Sequence, residues 1–80
     1  MNQPVNTQQP NIMKDNIYKI VELTGTSTES IEDAVNLALG RAGQTIHNLS
    51  WFELIETRGS IENNKVKHWQ VTLKIGFKLD

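Results

Sequence analysis

Residues Trp51–Phe77, WFELIETRGSIENNKVKHWQVTLKIGF, have the pattern of one long β-hairpin on which the rest of the chain packs. Its tip is predicted at Asn63-Asn64, because asparagine tolerates positive φ and suits a two-residue hairpin turn. This register predicts three facing pairs: Phe52 with Ile75, Leu54 with Leu73, and Glu56 with Val71. The first two pairs are apolar, so this face of the hairpin is predicted to form the core.

The other face of the hairpin is predicted to expose a tryptophan. Side chains alternate along a strand, so Trp51 points away from the core. Gly76 lies opposite it and has no side chain to cover the indole. Trp69 lies an even number of residues from Val71 and Leu73 along the same strand, so it is predicted to face the core with them. The outer face is predicted to carry, beside Trp51, the side chains of Glu53, Ile55, Thr57, Gln70, Thr72 and Lys74.

Length and composition indicate one small domain. Residues 1–16 are rich in Asn and Gln and lack apolar periodicity, which predicts a flexible polar tail, and residues 17–80 form the domain. The hydrophobic core of a domain of about 65 residues gives only marginal stability, and domains of this size commonly gain stability by oligomerisation. The chain has no cysteine, and its net charge is −1, which gives no electrostatic reason to bind nucleic acid. No apolar run could span a membrane, so a soluble cytoplasmic protein is expected.

Two further elements precede the hairpin. Ile17–Leu23 is rich in β-branched residues and predicts a strand, and Thr24–Thr26 predicts a turn. Ser27 is the expected helix cap, with Thr26 and Glu29 as a capping-box alternative. An apolar stripe at helical spacing then predicts a helix that ends near Asn48. The stripe consists of Ile31, Ala34, Val35, Ala38, Leu39, Ala42 and Ile46.

The predicted fold class is therefore α+β, with the order β-α-β-β. A helix between the first two strands favours a right-handed crossover that leaves them parallel, and the third strand fits between them. The product is a three-stranded antiparallel sheet curled over one helix. Only one sheet face is covered by that helix, so subunits, a ligand or both are expected on the face that carries Trp51 and Ile55.

The usual constellations for catalysis and metal binding are missing from the sequence. His47 and His68 lie on different predicted elements, with no cysteine nearby, so no metal site is expected. Glu53 and Glu56 point to opposite faces of a regular strand, which argues against a carboxylate pair, and no enzymatic activity is expected.

A binding surface is the remaining function class. The Trp51 indole suits a flat aromatic ligand such as an isoalloxazine or a purine, and Gln70 offers a donor and an acceptor on the same face. The alternative is that Trp51 anchors an oligomer, since tryptophan is enriched at interface hot spots. The residue pattern alone leaves both interpretations open.

Four segments resemble the dodecin family of small flavin-binding proteins. They are YKIVELTGTS (18–27), NL (48–49) at the helix end, WFELIETRG (51–59) and HWQVTLKIGFKL (68–79). The resemblance implies a hollow homododecamer in which paired flavins stack on Trp51 at two-fold interfaces and Gln70 bonds the pyrimidine edge. It places Arg58, Glu56 and Ser60 near the site.

The resemblance also implies a function and its ligands. Dodecins store and buffer flavin and quench its photochemistry without turning over a substrate. FMN is the expected ligand, with riboflavin next and FAD a further possibility. Some bacterial members resemble coenzyme A binders, so a coenzyme A-binding or purely structural shell is the alternative.

Overall fold

The structure is a computed structural model that describes residues 15–80. The predicted tail, residues 1–16, lies outside the described residues except for its last two. Four elements follow in the order β-α-β-β, as predicted. They are β1 (Tyr18–Ser27), α1 (Ile31–Ala42), β2 (Leu49–Glu62) and β3 (Lys65–Lys78).

The three strands form one sheet in the order β1-β3-β2. The central strand β3 is antiparallel to both neighbours, so β1 and β2 run parallel to each other. This confirms the predicted α+β class and the predicted position of the third strand. It also makes β2 an edge strand.

One side of the sheet packs against α1 and forms the core. Three residues at alternate positions of β3 are fully buried there: Val71, Leu73 and Ile75. The helix contributes Ala34, Val35, Ala38 and Ala42. Small side chains on this helix face bring its backbone close to the sheet. The predicted helical stripe therefore faces the core over its first three turns.

The helix begins three residues later than predicted. Ser30 is the N-cap, and its Oγ accepts a hydrogen bond from the Asp33 backbone N–H at 2.9 Å. The prediction of Ser27 as the cap was wrong, because Ser27 is the buried last residue of β1. Its Oγ donates to Asp33 Oδ2 at 2.7 Å and accepts from the Glu29 N–H at 2.8 Å. Ser27 thus ties the end of the strand to the first turn of the helix.

The predicted turn at Thr24–Thr26 is also wrong, because β1 continues through it to Ser27. Gly25 lies in the strand and faces the helix. A Cβ at this position would lie 2.9 Å from the Ala34 carbonyl oxygen and 3.2 Å from the Ala38 Cβ. The glycine therefore permits close packing of helix on strand rather than a turn.

The helix ends at Ala42 rather than near Asn48. Gly43 caps it, and the Ile46 N–H still donates to the Ala42 carbonyl at 2.9 Å. Ile46 thus reaches the core from the connecting loop, which explains why it matched the helical spacing. Asn48 has a φ of 66° and turns the chain into β2.

The hairpin turn lies at Asn63-Asn64 as predicted, with φ values of 55° and 61°. The predicted facing pairs Phe52–Ile75 and Leu54–Leu73 are confirmed. The prediction that Glu56 faces Val71 was wrong, because Glu56 pairs with Thr72.

Two irregularities in the hairpin ladder cause this shift. The ladder steps from Ser60–His68 to Ile61–Val66, which leaves Lys67 as an extra residue on β3. It steps again around Ile55, which is an extra residue on β2. A bulge reverses the facing of the residues beyond it relative to a regular strand. Residues 56–60 therefore face the side opposite to the one predicted, whereas residues 51–54 do not.

Phe52 and Leu54 lie on the helix side of β2, yet 49% and 39% of their surface is exposed. The helix packs mainly on β1 and β3, so β2 extends beyond it. Their predicted facing is confirmed, but a single chain does not bury them. No helix within residues 15–80 is long and apolar enough to cross a membrane.

Candidate functional site

The Trp51 indole lies on the sheet face opposite α1, directly over Gly76. Trp51 pairs with Gly76 across the two strands. A Cβ built on Gly76 would lie 2.6 Å from the indole Nε1 and still closer to Cε2 and Cζ2. The glycine thus lets the ring rest on the backbone of β3. One ring face contacts the sheet, the other is directed away from it, and 39% of the residue is exposed.

Tyr18 contacts the same indole on the same face of the sheet, from β1, the edge strand on the other side of β3. The two ring centroids are 6.3 Å apart and the ring planes meet at 63°, an edge-to-face arrangement. The sequence reasoning did not single out Tyr18 as a site residue. The register of β1 on β3 is the signal that could have identified Tyr18. Ile20 pairs with Gly76, beneath the indole, and Tyr18 is two residues away on the same face of β1.

Gln70 lies on the same sheet face as Trp51. It precedes the buried Val71 in the strand, so its side chain points to the face opposite the core. Its neighbours across the sheet are Thr26 on β1 and Arg58 on β2. Gln70 is half-buried. It is six residues from Gly76 along β3, which corresponds to roughly 20 Å at the rise of an extended strand. Trp51 and Gln70 of one chain therefore share a face but cannot contact one small ring system together.

The bulge at Ile55 brings the other three predicted site residues to this face. Arg58 Nη2 donates to Glu56 Oε2 at 2.9 Å, and both side chains are about half exposed. Ser60 Oγ and His68 Nδ1 lie 3.3 Å apart next to this pair in the ladder. A regular hairpin would have turned Glu56, Arg58 and Ser60 toward the helix side.

A polar strip separates the Trp51 end of this face from the Gln70 end. Lys74 lies between Glu22 on β1 and Glu53 on β2. In the next row, Thr24 Oγ1 and Thr72 Oγ1 lie 3.1 Å apart.

The predicted opposite facing of Glu53 and Glu56 was wrong, because the bulge puts both on this face. The prediction that Thr57 shares the Trp51 face was also wrong, since Thr57 pairs with Val71 on the helix side. Within residues 15–80, no three His, Asp or Glu side chains come together at a spacing that could hold a metal ion.

The helix side of the distal hairpin forms a separate groove. It has a volume of about 300 Å³, and Trp69, Ile31 and Gly59 are among its lining residues. Trp69 is half-buried and pairs with Ser27 and Gly59, which confirms its predicted core-side facing.

These features define a small α+β protein in which, over residues 15–80, one sheet packs on one helix and presents an aromatic residue on its other face. The model that describes the dodecin family matches residues 17–80. A dodecin of Thermus thermophilus is 50% identical over 64 residues, which are 80% of this chain and 93% of that protein. The chain belongs to the dodecin family.

Solved dodecin structures have the same fold. The dodecin from Streptomyces davaonensis superposes with a TM-score of 0.78 at 43% identity, over 84% of this chain and 98% of that chain. A calcium dodecin from Mycobacterium tuberculosis, described as calcium-chelating, has a TM-score of 0.69 at 25% identity, over 80% and 91% of the two chains.

Proposed function

We propose that this chain binds flavin without catalysing a reaction and serves to store flavin and to protect against its photochemistry. The observation that carries the proposal is the placement of the Trp51 indole. It lies flat on Gly76 with its other face directed outward, on the side of the sheet away from the helix. Offset stacking on such a face binds flat aromatic rings with little demand for particular hydrogen bonds.

Gln70 supplies the hydrogen bonds that stacking lacks. Its side-chain amide offers both a carbonyl acceptor and an N–H donor, which match the adjacent N–H and C=O groups of an isoalloxazine edge. Arg58, Glu56 and Ser60 follow on the same face and complete the polar end of the site. FMN is the proposed ligand, with riboflavin next and FAD as a further candidate.

The site is built from two chains. Trp51 and Gln70 of one chain are roughly 20 Å apart, so a stacked isoalloxazine that also bonds a glutamine needs that glutamine from a neighbouring chain. Apolar side chains that a single chain leaves exposed support such an assembly. They include Phe52, Leu54, Ile55 and Leu37. A homododecamer with paired flavins at its two-fold interfaces is the assembly we propose.

The alternative is a shell that binds coenzyme A or is purely structural, with Trp51 as an interface anchor. The cluster of Trp51, Tyr18 and Ile20 favours this alternative, since all three are at least 39% exposed and apolar surfaces of this kind mark protein contacts.

Titration of the purified protein with FMN, riboflavin, FAD and coenzyme A separates the two functions. Flavin storage predicts strong quenching of flavin fluorescence as the ring stacks on the indole. A protein whose flavin solutions keep their full fluorescence, while coenzyme A or no ligand binds, supports the shell. FMN and riboflavin share the isoalloxazine, so the ratio of their affinities reports the contribution of the phosphate.

A further inference from the structure

Two residues contact the Trp51 indole, and neither was among the predicted site residues. We propose that Gly76 and Tyr18 are positioning residues that lock this indole flat on the sheet before any ligand arrives. The effect on flavin affinity rests on the proposed function above, whereas the effect on the indole itself does not.

The indole packs directly against the backbone of Gly76. Any side chain at this position begins with a Cβ that would overlap Cε2, Cζ2 and Nε1 of the ring. The overlap is with a stiff aromatic ring rather than with the end of a flexible chain. A larger residue at position 76 would therefore lift the indole away from the sheet and change the plane on which a ligand stacks.

Tyr18 contacts the end of the indole that is farthest from β2. The indole starts on β2 and crosses β3 over Gly76, and Tyr18 on β1 then meets it edge-to-face at 6.3 Å. This geometry matches the quadrupoles of the two rings, which favour an edge against a face. The contact limits both the tilt and the sideways rotation of the indole. The contact is one between two aromatic rings, so phenylalanine should replace tyrosine here.

A fixed indole lowers the cost of binding. Ordering a mobile side chain on binding consumes part of the interaction free energy, and a residue already held in its bound orientation avoids that loss. A locked Trp51 also selects for planar ligands, because the ring cannot tilt to follow a bent one. Gly76 and Tyr18 would thus contribute to affinity and selectivity without touching the ligand.

The test first examines the indole without ligand. The chain has two tryptophans, so the substitution Trp69→Phe leaves Trp51 as the single reporter. Time-resolved fluorescence anisotropy of the flavin-free protein, excited at the red edge of the indole absorption where tyrosine does not absorb, then reports the mobility of Trp51. Tyr18→Ala and Gly76→Ala should increase its mobility. Tyr18→Phe should preserve the parent signal.

The matched control is Glu22→Ala, which removes an exposed side chain from the same face of β1, opposite Lys74 and outside the row of Gly76. It should leave the anisotropy of Trp51 unchanged. For FMN, Tyr18→Ala should weaken binding about two- to tenfold, the scale of an aromatic pair. Tyr18→Phe should stay within about twofold of the parent.

The outcomes separate the two proposals. Unchanged mobility of Trp51 in both Tyr18→Ala and Gly76→Ala overturns the positioning role, and so does a rise in mobility in Glu22→Ala equal to that in Tyr18→Ala. If Gly76→Ala does not fold, the Tyr18 series decides alone. Mobility that rises as expected in a protein that binds no flavin upholds the positioning role and rejects the proposed function.

Discussion

Helix and sheet approach each other closely at Gly25, and the substitution Gly25→Ala tests how tightly they pack. The new Cβ would lie 2.9 Å from the Ala34 carbonyl oxygen and 3.2 Å from the Ala38 Cβ. The nearer atom belongs to the helix backbone, so the helix has to shift as a body. Overpacking of this kind costs about 1–3 kcal/mol.

An opposing effect reduces this cost. The φ of Gly25 is not positive, so alanine meets no conformational barrier there. Alanine also restricts the unfolded chain, which stabilises the fold by about 0.4–1 kcal/mol. We therefore expect Gly25→Ala to lower the free energy of unfolding by about 1–2 kcal/mol.

Urea denaturation followed by far-ultraviolet circular dichroism measures this change. The protein concentration has to be the same for each variant, because the stability of an oligomer depends on it. Gly40→Ala is the comparison, since nothing in the described part of the chain lies within 4 Å of a Cβ there. It should stabilise the helix by about 1 kcal/mol. A Gly25→Ala variant as stable as the parent would refute the close approach of helix and strand.

Three further substitutions have defined outcomes. Ser30→Ala removes the N-cap and should lower the free energy of unfolding by about 0.5–2 kcal/mol in the same assay, and an unchanged midpoint would reject Ser30 as the cap. Asn64→Val forces a β-branched residue to a φ of 61° and should destabilise the hairpin by about 1–2 kcal/mol, whereas Asn64→Gly should not. Trp51→Ala should abolish flavin binding while size-exclusion chromatography still shows the assembly, and dissociation into smaller species would favour the anchor interpretation instead.

The part of the central strand from His68 onward could be predicted from the sequence because its pattern has a single period. Val71, Leu73 and Ile75 alternate with Thr72, Lys74 and Gly76, and this alternation placed Gly76 on the face away from the core, where the register pairs it with Trp51. The Asn63-Asn64 turn anchored the register at one end. Local chemistry and the global fold agree in these segments.

The bulges could not be predicted, because no residue type marks them. Ile55 and Lys67 resemble their neighbours in the strands, and only the register of the folded hairpin identifies them as extra residues. Three of the five predicted site residues depend on them for their facing. The family resemblance placed Glu56, Arg58 and Ser60 near the site, whereas the alternation rule would have turned them away from it.

The errors around the helix have a different cause. Gly25 and Ser27 have the composition of a turn and a cap, but tertiary packing assigns them other roles. Gly25 makes room for the helix, and Ser27 holds Asp33 from the end of β1. The contact of Tyr18 with Trp51 could not be predicted, because it joins two strands that are far apart in the sequence and are not paired with each other.

Whether each flavin site combines Trp51 of one chain with Gln70 of another can be measured by mixing two variants. Trp51→Ala and Gln70→Ala chains are unfolded together in equal amounts and refolded, and native mass spectrometry verifies that they co-assemble. Loss of Gln70 alone should weaken flavin binding roughly five- to thirtyfold, the scale of one or two hydrogen bonds.

Titration of the mixed assembly with FMN then gives the answer. With sites shared between chains, about half of the sites that keep the indole regain Gln70 and bind more tightly than the sites of Gln70→Ala alone, because each position is filled by either variant at random. A single class of weak sites, equal to that of Gln70→Ala alone, would contradict the shared site.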